Sequence, residues 1–217
     1  MKYSVVMPCA GVGSRMNLGY NKLLFQMRNG KTVLENTMRA FLDDSRLEEM
    51  ILCVGKNDVE TIQAFVSDGR VKLVLGGATR QDSVYNGLKE VTSEYVLIHD
   101  GARPFLKQER IDDILECLKT HRACLLMVPT KDTIKVVEDG IVVNTPSRET
   151  LYNAQTPQAF HTKEILDAFK EAEKTGFIGT DDASVMEACG KSQVHVILGD
   201  YDNIKITTPE DLKGDIF

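Results

Sequence analysis

The chain has 217 residues, of which 42% are apolar and 27% charged, and its net charge is −6. That length supports one domain with a substantial core, and the composition excludes a disordered chain or a fibre. The acidic balance argues against nucleic-acid binding through a basic surface, and no apolar run approaches the ~18–20 residues of a membrane span.

Met1-Lys2-Tyr3-Ser4 runs straight into a strand pattern without signal-peptide architecture. Cysteines 9, 53, 117, 124 and 189 have neither disulfide-framework nor zinc spacing and read as buried thiols of a cytoplasmic protein. The first strand, in residues 3–7, leads into Pro8-Cys9-Ala10-Gly11-Val12-Gly13-Ser14-Arg15-Met16, with Lys22 shortly after. Gly11 and Gly13 allow a sharp turn whose N–H groups can approach an anion, and a following helix would add its positive end. Arg15 and Lys22 supply a fixed and a movable cation, which suits a nucleoside triphosphate. The plainer alternative is a glycine turn with two solvated charges. A Walker A loop is excluded by spacing, and a dinucleotide fingerprint fails because Met16 stands at its third glycine.

Further strands are predicted at 51–54, 71–75, 96–98 and 124–128, with helices at 33–42, 59–66, 83–91 and 111–120. This alternation predicts an α/β fold with a mostly parallel sheet covered by helices on both faces. Thr32 and Glu35 have capping-box spacing, a role that fits Glu35 better than ribose binding. Gly76-Gly77-Ala78-Thr79-Arg80-Gln81-Asp82-Ser83 lies between a strand and a helix. Its glycines permit close approach to a ligand and Arg80 and Ser83 supply donors; otherwise it is a turn with Asp82 or Ser83 as helix cap.

His99-Asp100-Gly101-Ala102-Arg103-Pro104 ends the fourth strand. Asp100 is the metal candidate, because Mg²⁺ needs few carboxylates when phosphates complete its shell. Arg103 suits a substrate phosphate, or it pairs with Asp100 to fix a turn. His99 reads as a packed strand residue, with no nucleophile beside it. Residues 131–150 form a hairpin arm around Asp139-Gly140 that needs something to pack on. Thr180-Asp181-Asp182 reads first as a helix cap with acids in the first turn, and second as a metal site. Thr208-Pro209 opens another helical turn. Lys205 lies in a strand-like run, 204–206, whose isoleucines would share a face and leave the lysine facing solvent or a crevice.

The motifs together resemble the 2-C-methyl-D-erythritol 4-phosphate cytidylyltransferase family. The resemblance rests on Ala10-Gly11-Val12-Gly13-Ser14-Arg15-Met16, Gly76-Gly77 through Asn86-Gly87-Leu88, His99 through Pro104, Asp132-Thr133-Ile134-Lys135, Gln155-Thr156-Pro157-Gln158, Thr180 through Ser184 and Asn203-Ile204-Lys205-Ile206-Thr207. These segments span nearly the whole chain in family order. The resemblance implies a Rossmann-like nucleotidyltransferase fold, Mg²⁺, CTP as co-substrate, and a homodimer interlocked through the β-hairpin arms. It also implies that Arg15, Lys22 and Lys205 surround the reacting phosphates. Ala10, Gly11, Gly13, Gly77, Arg80 and Ser83 would hold the nucleotide, and Asp100 the metal. Asp100, Arg103 and Thr156 would face the second substrate, helped by Arg148 and Thr180 of the neighbouring subunit. Two departures stand out: Asn21-Lys22-Leu23 replaces the family's usual Pro-Lys-Gln, and glycine replaces its usual alanine at 101. Ribitol 5-phosphate cytidylyltransferases share the fold and the nucleotide chemistry, and a non-catalytic nucleotide-binding module is the remaining alternative.

Overall fold

The computed structural model describes residues 1–11 and 19–212. Seven strands form the main sheet: β1 (Tyr3–Pro8), β2 (Leu47–Val54), β3 (Val71–Leu75), β4 (Tyr95–Ile98), β5 (Ala123–Pro129), β8 (Tyr152–His161) and β9 (Val194–Leu198). Their order is β3-β2-β1-β4-β8-β5-β9. Every pairing is parallel except those of β8, which runs antiparallel between β4 and β5.

Alternation along the strands feeds two cores, as the pleat requires. Val5, Met7 and Leu97 point to one face and meet Val33, Leu34, Met38 and Phe41 of α1 (Val33–Leu42) and Ile111, Ile114 and Leu118 of α4 (Gln108–Leu118). Ile62 of the short α2 (Val59–Gln63) joins that side. Val6, Val96 and Ile98 point the other way. There they meet α3 (Arg80–Leu88) through Val84 and Leu88, α5 (Thr162–Thr175) through Ile165 and Phe169, and α6 (Asp182–Cys189) through Val185 and Met186. Gly87 lets α3 lie hard against the sheet, since a Cβ there would come within 2.6 Å of both Cys53 Sγ and Val6 Cγ1. The Thr32–Glu35 capping box opens α1 as its spacing predicts.

Three local expectations are corrected. α3 starts at Arg80, capped by Thr79 in a reciprocal box with Asp82, so neither Asp82 nor Ser83 is the cap. α6 is capped by Asp181, whose side chain accepts from Ser184 N–H, so Thr180 lies one residue outside the cap. Residues 204–206 form no strand: Ile206 is buried while Ile204 is exposed, so the isoleucines do not share a face. The cysteine reading also needs adjustment, since Cys117 and Cys189 are only half-buried, although all five thiols are free.

β6 (Val136–Glu138) and β7 (Ile141–Asn144) pair only with each other. Asp139 and Gly140 both have positive φ, 48° and 79°, as a two-residue hairpin turn demands. Both strands are exposed along their length. Among the described residues no helix is long and apolar enough to cross a membrane.

Candidate active site

β1 is flanked by β2 on one side and β4 on the other, so the strand order reverses there. Open α/β sheets hold ligands beyond the carboxyl ends of the strands at such a switch point. A cleft of about 480 Å³ occupies that place. Pro8, Ala10 and Gly11 line it from the end of β1, and Asp100, Gly101 and Ala102 from the end of β4. Gly77 through Arg80 and Ser83 come from the turn into α3, with Lys22, Lys205 and Thr207 from two further segments.

The turn into α3 is built for close packing. A Cβ on Gly77 would fall 2.2 Å from that of Asp82, and one on Gly76 2.5 Å from that of Ala10. The Ser83 hydroxyl accepts from Gly77 N–H at 3.0 Å and donates to Thr79 C=O at 2.9 Å, so it braces this turn.

Asp100 is the electrostatic centre. Its Oδ2 lies 2.7 Å from Lys205 Nζ and 3.7 Å from Arg103 Nε, and its Oδ1 3.2 Å from Arg80 Nη2. Burial alone would push this carboxyl up, but Arg80, Lys205 and Arg103 outweigh it and hold Asp100 well below the usual carboxylate range. Arg80 also forms a bidentate pair with Asp182, at 3.0 and 2.8 Å. Asp182 has its pKa raised, because burial and the charges of Asp100 and Asp181 together outweigh Arg80. Burial lowers the pKa of the Arg80 guanidinium, but the two carboxylates more than reverse this. Arg103 is buried, and the same loss of solvent lowers its pKa despite Asp100. Its Nη1 donates to Asn203 C=O at 2.6 Å.

Two backbone segments are thereby laced together. Ile206 N–H donates to Ala102 C=O at 2.9 Å, and Lys22 Nζ donates to Ile206 C=O at 2.6 Å. Asn21, just before Lys22, donates from its side chain to Cys9 C=O and Asp58 Oδ2 and accepts from Leu23 N–H.

β8 staples the walls from behind. Its ladder with β5 goes from Leu125↔Gln158 to Met127↔Ala154, so residues 155–157 bulge out of register. Gln155 donates to Asp200 C=O, and Gln158 holds the start of α6 through Asp181 Oδ2 and Ala183 N–H. Thr156 Oγ1 accepts from Asp100 N–H at 3.0 Å and lies 3.0 Å from His99 Nδ1. His99 is wholly buried, and the loss of solvent pushes its pKa down to about 4. It is therefore a neutral structural residue. Cys9, beneath the cleft, is a buried thiol whose pKa is pushed up by the loss of solvent, so it offers no nucleophilic thiolate.

Of the residues singled out in the sequence, Ala10, Gly11, Lys22, Gly77, Arg80, Ser83, Asp100 and Lys205 line one cleft. Arg103 and Thr156 sit directly behind Asp100. Gly13 and Arg15 lie outside the described residues. Arg148, whose guanidinium donates to Lys131 C=O at the hairpin base, and Thr180 do not line the cleft of their own chain. Sequence reasoning assigned no function to Asn21, Gln155 or Gln158, and treated Asp182 as a first-turn acid or metal ligand instead of Arg80's partner. Among the described residues there is no group of three or more His, Cys, Asp or Glu placed to hold a metal.

Comparison with known proteins gives the family. The family model for 2-C-methyl-D-erythritol 4-phosphate cytidylyltransferase matches residues 3–215. The enzyme of that name from Bacillus mycoides is 44% identical over 215 residues, covering 97% of this chain and 94% of its own. The Clostridioides difficile enzyme is 41% identical over 216 residues, covering 97% and 90%. A crystal structure of 4-diphosphocytidyl-2C-methyl-D-erythritol synthase from Anaerococcus prevotii superposes with a TM-score of 0.84 at 35% identity, covering 97% of this chain and 94% of that one. The Thermus thermophilus cytidylyltransferase structure gives 0.81 at 31%, covering 98% and 96%. The chain belongs to the 2-C-methyl-D-erythritol 4-phosphate cytidylyltransferase family.

Proposed function

We propose that this chain transfers CMP from CTP to 2-C-methyl-D-erythritol 4-phosphate, giving 4-diphosphocytidyl-2-C-methyl-D-erythritol and pyrophosphate. The observation that carries the reading is a switch-point cleft lined by Lys22, Arg80 and Lys205 around an ionised Asp100. Such a site neutralises phosphate charge.

In the reaction a phosphate oxygen of the methylerythritol substrate attacks the α-phosphorus of CTP in line. The new O–P bond forms as the bond to the β-phosphate oxygen breaks, and pyrophosphate leaves with its electron pair. A phosphate monoester dianion is already a nucleophile, so no general base is required. The work left to the protein is positioning and charge stabilisation. Lys22 and Lys205 stabilise the charge on the reacting phosphates, and the same role is proposed for Arg15. The backbone at Ala10, Gly11, Gly13 and Gly77, with Ser83, holds the nucleotide. Arg103, buried behind Asp100, serves the acceptor side of the cleft by holding that carboxylate.

Mg²⁺ is part of the proposal, and the donor chemistry fits. Such an ion needs only one or two carboxylates when substrate phosphates and water complete its shell, and Asp100 is a single carboxylate kept ionised by its neighbours. When bound, the ion would neutralise triphosphate charge. We further infer a homodimer in which the hairpin packs on a second copy and Arg148 and Thr180 serve the neighbouring cleft. The exposed apolar residues of the hairpin, Ile141 and Val142 among them, support this reading. Five free thiols suit the cytoplasm as the working compartment.

The test is pyrophosphate release with CTP and Mg²⁺, comparing 2-C-methyl-D-erythritol 4-phosphate with D-ribitol 5-phosphate. Release with the first alone is expected. Release with the second alone would move the enzyme to polyol-phosphate activation, and release with neither would leave a nucleotide-binding module.

A further inference from the structure

We propose that Gln81 is a positioning residue for the acceptor substrate: its side-chain amide ties the segment that carries Thr180 to the nucleotide wall of the cleft. The inference rests on the reading above in which Thr180 serves the cleft of a neighbouring copy.

The chain leaves α5 through Gly176, whose φ of 71° ends that helix, and enters α6 at Asp181. Between these caps residues 177–180 belong to no helix or strand, so their backbone groups must find partners elsewhere. Gln81 supplies two of them. Its Nε2 donates to Phe177 C=O at 2.9 Å, and its Oε1 accepts from Gly179 N–H at 2.8 Å. A carbonyl and an N–H two residues apart point to the same side of an extended chain, where one residue of a parallel strand would bond both. The primary amide of Gln81 offers the same donor and acceptor side by side.

The residues around this clamp are anchored as well. A Cβ on Gly179 would come within 2.7 Å of both Ser184 Oγ and Val185 Cγ2, so the segment lies close against α6. Asp181 Oδ2 accepts from Gln158, and Asp182 accepts two hydrogen bonds from Arg80. Thr180 is thus exposed between fixed neighbours. Arg80 and Gln81 are consecutive in the first turn of α3 and hold its two flanks, Arg80 at residue 182 and Gln81 at residues 177 and 179. Arg80 lines the cleft beside Gly77 and Ser83, and Gln81 is not among the lining residues. The wall that receives the nucleotide therefore sets the place of a hydroxyl offered to another copy, and Gln81 acts on the acceptor only through that hydroxyl.

Gln81→Met keeps the length and helix preference of the side chain and removes both hydrogen bonds. Steady-state CMP transfer by the full chain should show KM for 2-C-methyl-D-erythritol 4-phosphate raised about tenfold, the lower end for one hydrogen bond to a charged group. Both kcat and KM for CTP should stay within about threefold. Thr180→Ala should raise the same KM, and the double variant should be no worse than Thr180→Ala alone, because the two residues act as one unit. A parental KM in Gln81→Met beside a raised one in Thr180→Ala would overturn the proposal and spare the reading of Thr180. Additive effects in the double variant, or KM for CTP raised as much as that for the acceptor, would also overturn it. A parental KM in Thr180→Ala would overturn both.

A second measurement is independent of turnover. Amide exchange followed by nuclear magnetic resonance should show Gly179 N–H exchanging about tenfold faster in Gln81→Met than in the parent. Phe177 N–H, which donates to Ala172 C=O at the end of α5, should keep its parental rate. An unchanged rate at Gly179, or equal acceleration at both amides, would refute the clamp even in a chain that transfers no CMP.

Discussion

Removing Arg80 tests whether the charge arrangement around the cleft is structurally coupled to α6. Arg80→Met takes away the bidentate partner of Asp182, a carboxylate only 1% exposed. Breaking a buried pair from one side costs about 3–5 kcal/mol, because the surviving charge is left without a partner. The Arg80 side chain is 32% exposed, so the lower end, about 3 kcal/mol, is the working figure. For a chain of this length that corresponds to a fall in Tm of about 6–12 °C. Arg80→Met/Asp182→Leu replaces the whole pair by apolar groups of similar size and should recover most of the loss. Asp100 keeps Lys205 and Arg103 in both variants.

The deficit of the single variant also depends on pH, and its sign is fixed. Asp182 already has its pKa raised in the folded protein and would have it raised further without Arg80. The folded state then holds a proton that the unfolded state releases near pH 4, so the cost is smallest below that point. It grows as pH rises through the folded-state value. Thermal melts followed by circular dichroism at pH 5 and pH 8 should show the gap between Arg80→Met and the parent widening at pH 8. A double variant as unstable as the single one, or a single variant with parental Tm at both values, would refute the argument.

Two other substitutions probe independent parts of the molecule. Lys205→Ala removes a half-exposed cation from Asp100 and should lower kcat for CMP transfer by about 10²–10³ while leaving Tm nearly unchanged; parental turnover at saturating substrate would take Lys205 out of the reaction. Asp44 is buried and accepts from Tyr3, Arg46 and Gln108; burial opposes its ionisation, but these partners draw its pKa down to about 2. Relative to an ordinary value near 3.8 that contributes about 2 kcal/mol, present at pH 7 and lost as pH falls from about 4 through 2. Urea unfolding at pH 7 and pH 2.5 should show Asp44→Asn less stable than the parent at the first, with the gap shrunk to about a third at the second.

Two kinds of strand were legible in the sequence: apolar runs in the sheet, most plainly where both faces are buried, and the exposed hairpin, marked by Asp139-Gly140. Val5–Val6–Met7 and Val96–Leu97–Ile98 are continuous apolar runs because each face meets its own helices. β8 was not legible. Its Gln155-Thr156-Pro157-Gln158 stretch is polar and contains a proline, so it carries no strand periodicity. Those side chains are buried because they bond to the turns around the cleft, a reason that only tertiary structure supplies. Cap positions failed for a narrower reason: Thr79, Asp82 and Ser83 are all competent caps, and the reciprocal Thr79–Asp82 box selects the earliest. The Arg80–Asp182 pair joins residues 102 positions apart, and nothing local in either segment announces the other.

The two departures from the family pattern meet at one place. Asn21 stands where proline is usual, and its side chain replaces ring rigidity with three hydrogen bonds, to Cys9, Asp58 and Leu23. Leu23, in place of the usual glutamine, is buried and points its Cδ1 at residue 101. A Cβ on Gly101 would lie 3.1 Å from that carbon and 3.2 Å from Cys9 Sγ, tighter than ordinary van der Waals contact. The leucine and the glycine therefore fit each other: a larger apolar group on one side is matched by a missing methyl on the other. The consequence reaches the cleft, because Lys22 lies between Asn21 and Leu23, and its amine bonds Ile206 C=O beside Lys205. A chain that changed only residue 101 to alanine would press on the segment carrying Lys22, whereas one that changed Leu23 as well would have room for it.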